Sequence, residues 1–279
     1  AMYLTEEDFR DALRRMKSLT DKPFAVNLMI FPALRPIDNL AYIDVMLEEG
    51  GIDIVETSGN RTPEDLIVKL KENGITLMHK CTSVQHALTA QRLGADAVTV
   101  FGSEGGGHIG IYGLSTLSMV PRAVDELDVP VIAAGGIADG RGLMAALSLG
   151  AQAALIGTRL LLTEECPIHD NIKQGLLEAG ELDTIPILGT VHNPLRVWKN
   201  EAALKVAEME AEGAGFDEVI KVVAGKVTKG MFQDGDAHSG VMVCSQSVGI
   251  LHEIKSLAEV ISDMVEEAET IARGLTSED

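Results

Sequence analysis

Positive charge is scarce in this chain. Its 279 residues carry 23 Lys and Arg against 42 Asp and Glu, a formal net charge of -19. A surface with that balance repels phosphate backbones and anionic headgroups, so nucleic acid and membrane are not expected partners. An anionic ligand would need a local site made from backbone N–H groups or a lone Lys or Arg. Cysteine is also sparse: Cys81, Cys166 and Cys244 lie far apart with no CxxC spacing. That argues against a structural disulfide or zinc site and fits a reducing, cytoplasmic setting. No uninterrupted apolar run is long enough to span a bilayer, and the acidic, amphipathic start does not read as a signal peptide. Ala1 precedes Met2, and Met2 reads as the native start. There is no Walker P-loop, no HExxH, no GxSxG and no GxGxxG after a first strand.

What is present is a regular alternation. With 46% hydrophobic and 23% charged residues, the chain can bury a large core in one domain or one domain plus a cap. Near-continuous apolar runs fall at Pro23–Phe31, Ile52–Thr57, Ile75–Lys80, Ala95–Phe101, Val129–Ala134 and Ala153–Gly157. Strands buried on both faces of a parallel sheet read this way. Amphipathic helices are expected between them at Asp38–Glu49, Thr62–Asn73, Ser83–Leu93, Leu114–Leu127 and Asp139–Leu149. Thr62, Ser83 and Asp139 are cap residues, and Gly94 and Gly150 are stop signals. Strict βα alternation predicts an α/β fold, a TIM-type (β/α) barrel or an open parallel sheet. After Cys166 the pattern changes to helices without strands, at Asp170–Gly180, Asn200–Ala211 and Phe216–Ala224. The expected domains are therefore a barrel, 1–165 with 240–279, and a mostly helical cap, 166–239. A long charged helix, Lys255–Arg273, should pack back on the barrel. The chain opens on a helix, Glu6–Lys17, and shows six strands where a closed barrel needs eight. The first two strands are expected to be absent.

Active sites of βα barrels lie at the C-terminal ends of the strands. Six polar or glycine-rich clusters follow the six strands, from Asn27 in the first to Gly157–Thr158 in the last. Gly135, Gly136, Gly157 and Thr158 follow the last two strands, where free backbone N–H groups commonly form a phosphate site; Thr158 adds a hydroxyl. In GSEGGGHIG, Gly102–Gly110, glycines would let the backbone approach a flat ligand and let His108 project as an acid or base. Lys80 ends a strand, and either reaches solvent or meets an anion such as a phosphate. Asn27, inside an apolar run, must find a partner, either a cofactor ring or the barrel's own backbone. His79 and Cys81 read as structural, and His86 carries no motif.

Together, the runs TDKPFAVNL, MHKCTSVQHALTAQRLGADAV, GSEGGGHIG, PVIAAGGIADGRGL, ALxLGAQ and IGTRLLLTEE resemble the nitronate monooxygenase family, formerly the 2-nitropropane dioxygenases. FMN-dependent enoyl-ACP reductases share most of these motifs. The resemblance runs from about Thr20 to Glu165, with an echo at Gly240–Gly249. It implies FMN at the top of a TIM barrel and His108 as the catalytic histidine. It also implies that Asn27 and Lys80 contact the flavin, with Gly107 in the same cradle. The phosphate positions would be Ala134, Gly135, Gly136, Gly157 and Thr158. Gln246 matches a Gln in a motif that usually reads AGQ; here Cys244 and Ser245 precede it. The family's front strands, a Gly/Met-rich loop and a GGLG strand, have no match. Three explanations stand open: a lost N-terminus, strands supplied by a second chain, or a degenerate homologue that binds FMN poorly.

Three activities follow from the resemblance. The first is FMN-dependent oxidation of alkyl nitronates with O₂. The second is an NAD(P)H-dependent flavin reductase acting on enoyl-ACP or a quinone. The third is a non-catalytic homologue with an incomplete barrel. The expected partner is a small molecule, nitronate or enoyl/quinone, and the chain is compatible with a homodimer.

Overall fold

The computed structural model describes residues 3, 5–30, 38–59, 64–223 and 225–276. In chain order the strands are β1 (Ala25–Met29), β2 (Ile54–Ser58), β3 (Thr76–Cys81), β4 (Ala97–Phe101), β5 (Gly107–His108), β6 (Val131–Ala134), β7 (Ala153–Leu155), β8 (Thr184–Ile187) and β9 (Leu195–Trp198). The helices are α1 (Glu6–Leu19), α2 (Asn39–Glu49), α3 (Glu64–Glu72), α4 (Val84–Arg92), α5 (Thr116–Glu126), α6 (Gly140–Ser148), α7 (Thr158–Leu161), α8 (Asp170–Glu178), α9 (Glu201–Ala211), α10 (Phe216–Val223), α11 (Gly225–Asp234) and α12 (Leu257–Thr276).

Six strands form one sheet in the order β1-β2-β3-β4-β6-β7. The order follows the chain without reversal. Right-handed crossovers that never reverse wind a (β/α) barrel-type sheet, whereas a doubly wound sheet has a switch point where the order turns back. The fold class is the one the alternation predicts, and all six apolar runs became strands. The caps are also as expected: Ser83 accepts from His86 N–H at 3.2 Å, and Asp139 accepts from Gly142 N–H at 2.9 Å. Gly94 and Gly150 close their helices at φ +106° and +93°, which costs a glycine nothing. Thr62, Phe31 and Ala224 lie outside the described residues.

Contacts divide the chain into two compact units, Ala1–Val100 with Arg122–Ile132, and Phe101–Pro121 with Ala133–Asp279. In the first, α1 packs its apolar face on α2: the Phe9 and Tyr42 rings stack at 4.4 Å. Glu49, at the end of α2, receives Arg14 and Arg10 at 2.9 and 3.0 Å. Their hydrogen bonds hold its carboxyl below the usual carboxylate range.

In the second unit, α12 lies on α6, as the charged C-terminal pattern predicts. Gly140 makes the approach close, because a Cβ there would sit 2.5 Å from Glu267 Cβ. Glu267 Oε2 accepts the Gly140 N–H at 2.7 Å, so a carboxylate occupies the positive end of α6. The segment after Cys166 departs from expectation. It holds α8 to α11, but also β8 and β9, which form an antiparallel sheet in the order β5-β9-β8. The runs TIPI and LRVW are only four residues long, and Pro186 inside the first reads as a breaker. In the structure β8 pairs only with β9 in this sheet, and an edge strand tolerates proline. Among the described residues, no helix is long and apolar enough to cross a membrane.

Trp198, at the end of β9, packs on the cluster that contains Ile172 and Leu176 of α8. A Cβ on Gly175 would lie 2.5 Å from the indole Cη2. Gly175→Ala gains about 1 kcal/mol of helix propensity. It should nevertheless lower stability by about 1–3 kcal/mol through overpacking. Urea denaturation followed by emission of Trp198, the chain's single Trp, measures this; unchanged or increased stability would contradict the packing.

Candidate functional site

The second unit carries most of the candidate residues. Its centre is the loop between β4 and β5. Gly102 N–H donates to Ala134 O at 2.9 Å, which holds the loop against the end of β6. A Cβ on Gly135 would lie 2.8 Å from Gly102 O, and one on Gly106 would lie 2.6 Å from the Cys244 carbonyl carbon. A Cβ on Gly102 would overlap Thr116 Oγ1, and one on Gly105 would overlap the Phe101 ring. These glycines therefore let protein segments touch one another, where the sequence suggested room for a ligand. Gly107 differs. Its φ is +114°, and nothing lies within 4 Å of where a Cβ would stand. Gly157, the N-cap residue of α7, adjoins the same kind of open space. Gly136 has φ +78°, a conformation that turns its amide out of the strand direction.

Glu104 organises this region, and the sequence reading missed it. Its carboxylate accepts from Ser115 Oγ at 2.5 Å, from Thr116 N–H at 3.0 Å and from Thr116 Oγ1 at 3.1 Å. It thereby caps the start of α5 with a charge that suits the helix dipole. Thr116 Oγ1 also lies 2.9 Å from Gly135 O. The main-chain oxygen of Glu104 accepts from Ser245 Oγ at 2.8 Å and from Gln246 N–H at 3.0 Å. Ser245 N–H in turn donates to Thr158 Oγ1 at 2.9 Å. One network thus joins the glycine loop, the Ala134–Gly136 turn, Thr158 and the Ser245–Gln246 segment. Two expected cofactor residues belong to it. The Thr158 hydroxyl already accepts a protein N–H, which leaves its proton and one lone pair to offer a ligand. Gln246 is held through its backbone, and its side chain is exposed. A polar residue inside a glycine run was the signal for Glu104.

His108 sits in β5, opposite Leu195 of β9, and Ile109 N–H donates to Pro194 O at 3.1 Å. Arg196 of β9 reaches back through Nε to Ser103 O at 2.8 Å, and through Nη1 to Thr184 Oγ1 at 3.1 Å. The two strands that the sequence did not reveal are therefore the support of the histidine. Burial lowers the His108 pKa; hydrogen bonds with Asn193 act the other way and do not overcome it. The imidazole stays neutral at pH 7, the form able to accept a proton.

The first unit gathers Asn27 and Lys80 around a third residue, Glu56. Asn27 Nδ2 donates to Glu56 Oε2 at 2.6 Å, and Lys80 Nζ lies 3.2 Å from the same oxygen. Thr99 Oγ1 donates to Glu56 Oε1 at 3.5 Å. The four come from adjacent strands, with Asn27 level with Glu56 and Lys80 level with Thr99. Lys80 is paired with a protein carboxylate, Glu56, which is only 8% exposed. Asn27 likewise finds side-chain partners, Glu56 and Ser58. Glu56, polar within the run IDIVET, gave the same signal as Asn27 in its own strand.

A singly wound parallel sheet whose strand-end turns bear the glycines and polar groups is the architecture of a TIM-type enzyme. The chain belongs to the nitronate monooxygenase family, whose description, "Nitronate monooxygenase", matches residues 1–267, and it is an oxidoreductase. It is 30% identical to a Mycobacterium tuberculosis protein named "(3aS,4S,5R,7aS)-5-hydroxy-7a-methyl-1-oxo-octahydro-1H-indene-4-carboxyl-CoA dehydrogenase", over 96% of this chain and 84% of that one. It is 31% identical to a "Probable nitronate monooxygenase" of Staphylococcus saprophyticus, over 76% and 71% of the two chains. Among solved structures, FabK from Thermotoga maritima is similar at a TM-score of 0.89 and 33% identity, covering 98% of this chain and 84% of that one.

Because burial sets the His108 pKa, an NMR titration of the imidazole should give a midpoint below the usual value of about 6.5. Asn193→Ala removes a hydrogen bond that favours the protonated ring, so its midpoint should fall further. A midpoint at or above the usual value in the unsubstituted chain would contradict this account.

Proposed function

We propose that the chain binds FMN and uses it to oxidise alkyl nitronates with O₂. The observation that carries this reading is the Gly107–His108 pair, a backbone facing open space next to an imidazole kept neutral by burial. The residues fit the cofactor in a second respect. Gly157 also adjoins open space, and the turn Ala134–Gly135–Gly136 holds two positive-φ glycines, with Ala134 O accepting from Gly102 N–H and Gly135 O 2.9 Å from Thr116 Oγ1. Amides in such turns suit a phosphate. By the family resemblance, Ala134, Gly135, Gly136, Gly157 and Thr158 take the phosphate, Asn27 and Lys80 contact the flavin, and Gln246 lies near it. FMN, when bound, supplies the redox chemistry. Glu56 keeps the Lys80 ammonium and the Asn27 amide oriented. His108 takes the proton from the carbon of a nitroalkane, or hydrogen-bonds a nitronate oxygen once protonated.

A second reading is favoured by one observation. The Mycobacterium tuberculosis relative, matched over 96% of this chain, is named as the dehydrogenase of an acyl-CoA. A CoA-thioester or enoyl thioester would then replace the nitronate at the same residues.

Two assays on FMN-reconstituted protein separate the readings. Nitrite release from propionate 3-nitronate or 2-nitropropane nitronate is expected. His108→Ala should reduce kcat/KM for the neutral nitroalkane by about 10²–10⁴-fold. The acid limb of kcat/KM should fall below the ordinary histidine pKa, because the native ring resists protonation. No nitrite, together with rapid flavin bleaching by NAD(P)H or by a hydroxyacyl-CoA, would overturn the nitronate reading in favour of the second.

A further inference from the structure

β3 and α4 bring together three ligand-type atoms that the proposed reaction does not use. Side chains alternate along a strand, so His79 and Cys81 share the face opposite Lys80. Ser83 caps α4, and His86 falls in its first turn. His79 Nε2 and His86 Nε2 are 3.1 Å apart, and one ligand-type atom from each of His79, Cys81 and His86 lies within 4.8 Å of the other two. His79 and Cys81 are wholly buried and His86 is half-buried. The spacing is His-x-Cys-x4-His, which a search for CxxC pairs passes over.

The orientation of His79 is fixed from behind. Thr57 Oγ1 lies 2.7 Å from His79 Nδ1 and 3.5 Å from Met78 O. A hydroxyl has one proton. Donated to the Met78 carbonyl, it leaves Oγ1 to accept from Nδ1–H, and the lone pair of Nε2 then points at His86. A ring N–H tied to a second partner while the other nitrogen turns inward is how metal-binding imidazoles are held.

We propose that His79 Nε2, His86 Nε2 and Cys81 Sγ form a binding site for one thiophilic cation of the Cu⁺ class. A metal with bonds of about 2.0–2.1 Å to two imidazoles in tetrahedral geometry holds the nitrogens roughly 3.3–3.4 Å apart, close to the separation found. The Cys81 thiolate completes the set with a bond of about 2.3 Å. On binding, the Cys81 thiol gives its proton to solvent and the Nε2–Nε2 hydrogen bond is replaced by two metal bonds. Charge selects the ion. Cu⁺ with one thiolate and two neutral imidazoles is neutral overall, whereas Zn²⁺ leaves one positive charge in a buried place with no acid among the three ligands. Thiolate and imidazole are also the donors this class of ion prefers.

The test is anaerobic titration of the purified chain with Cu⁺ alone, and separately with Zn²⁺ alone, in competition with a chromophoric chelator. One equivalent of Cu⁺ should bind, more tightly than Zn²⁺. X-ray absorption at the copper edge should report two nitrogen donors and one sulfur donor. Cys81→Ser and His86→Gln should each weaken binding at least tenfold, and Thr57→Val by about 10–100-fold through the orientation of His79. Cys166→Ser should change nothing. Three results would each overturn the proposal: no stoichiometric Cu⁺, Zn²⁺ binding more tightly than Cu⁺, or folded Cys81 and His86 variants that bind as well as the parent chain. If a variant fails to fold by circular dichroism, the donor set measured on the parent chain decides. Flavin content and turnover play no part in these readouts, so the outcome is independent of the nitronate reading.

Discussion

At Gly102, Gly106 and Gly135, main chain meets its neighbours with no room for a Cβ. The rest of the candidate site depends on that contact. Because the segments touch, the Glu104 carboxylate reaches Ser115 and Thr116, and its main-chain oxygen reaches Ser245 and Gln246. Because the loop is held there, it emerges at Gly107 in a left-handed conformation and enters β5 with His108 paired to β9. Any larger residue at the three glycines must push apart backbone and side chains that carry these hydrogen bonds. In this loop sequence chooses geometry mainly by exclusion.

Two half-buried or buried carboxylates divide the polar work. Glu104 serves the backbone of the second unit, and Glu56 serves the side chains of Asn27 and Lys80 in the first. A chain with a net charge of -19 has no shortage of acids, and most of them face solvent. What these two share is that each gathers donors from several separate segments around one carboxylate. Leaving either donor set without its carboxylate would strand polar groups out of water, at a cost of several kcal/mol for an ion pair as enclosed as Glu56–Lys80. Net charge therefore says little about the site, and local pairing says most.

The parallel sheet was legible because each strand is a separate apolar run bounded by caps and glycines, signals that act within a few residues. His108 stood out because it is the single histidine in a glycine-rich run. What supports it was not. β8 and β9 are four residues each, one interrupted by Pro186, and the pairing of β9 with Gly107–His108 spans almost ninety positions of chain. The surroundings of the glycines were not legible either: a glycine looks the same in sequence whether it adjoins another backbone, as Gly106 does, or open space, as Gly107 does. Lys80 was expected at a ligand or in solvent because its partner, Glu56, lies in another strand, where only register brings the two together. The same limit hid the convergence of His79, Cys81 and His86, which joins a strand face to a helix turn.

The central claim is that His108 is carried by the β8–β9 pair and is not a free loop residue. Native-state amide hydrogen exchange tests it directly. The Ile109 N–H, which donates to Pro194 O, should be protected and should open with the same free energy as the amides of β9, because they would move as one unit. If Ile109 exchanges at the rate of an exposed loop while β9 remains protected, the support is absent and the account of the site fails.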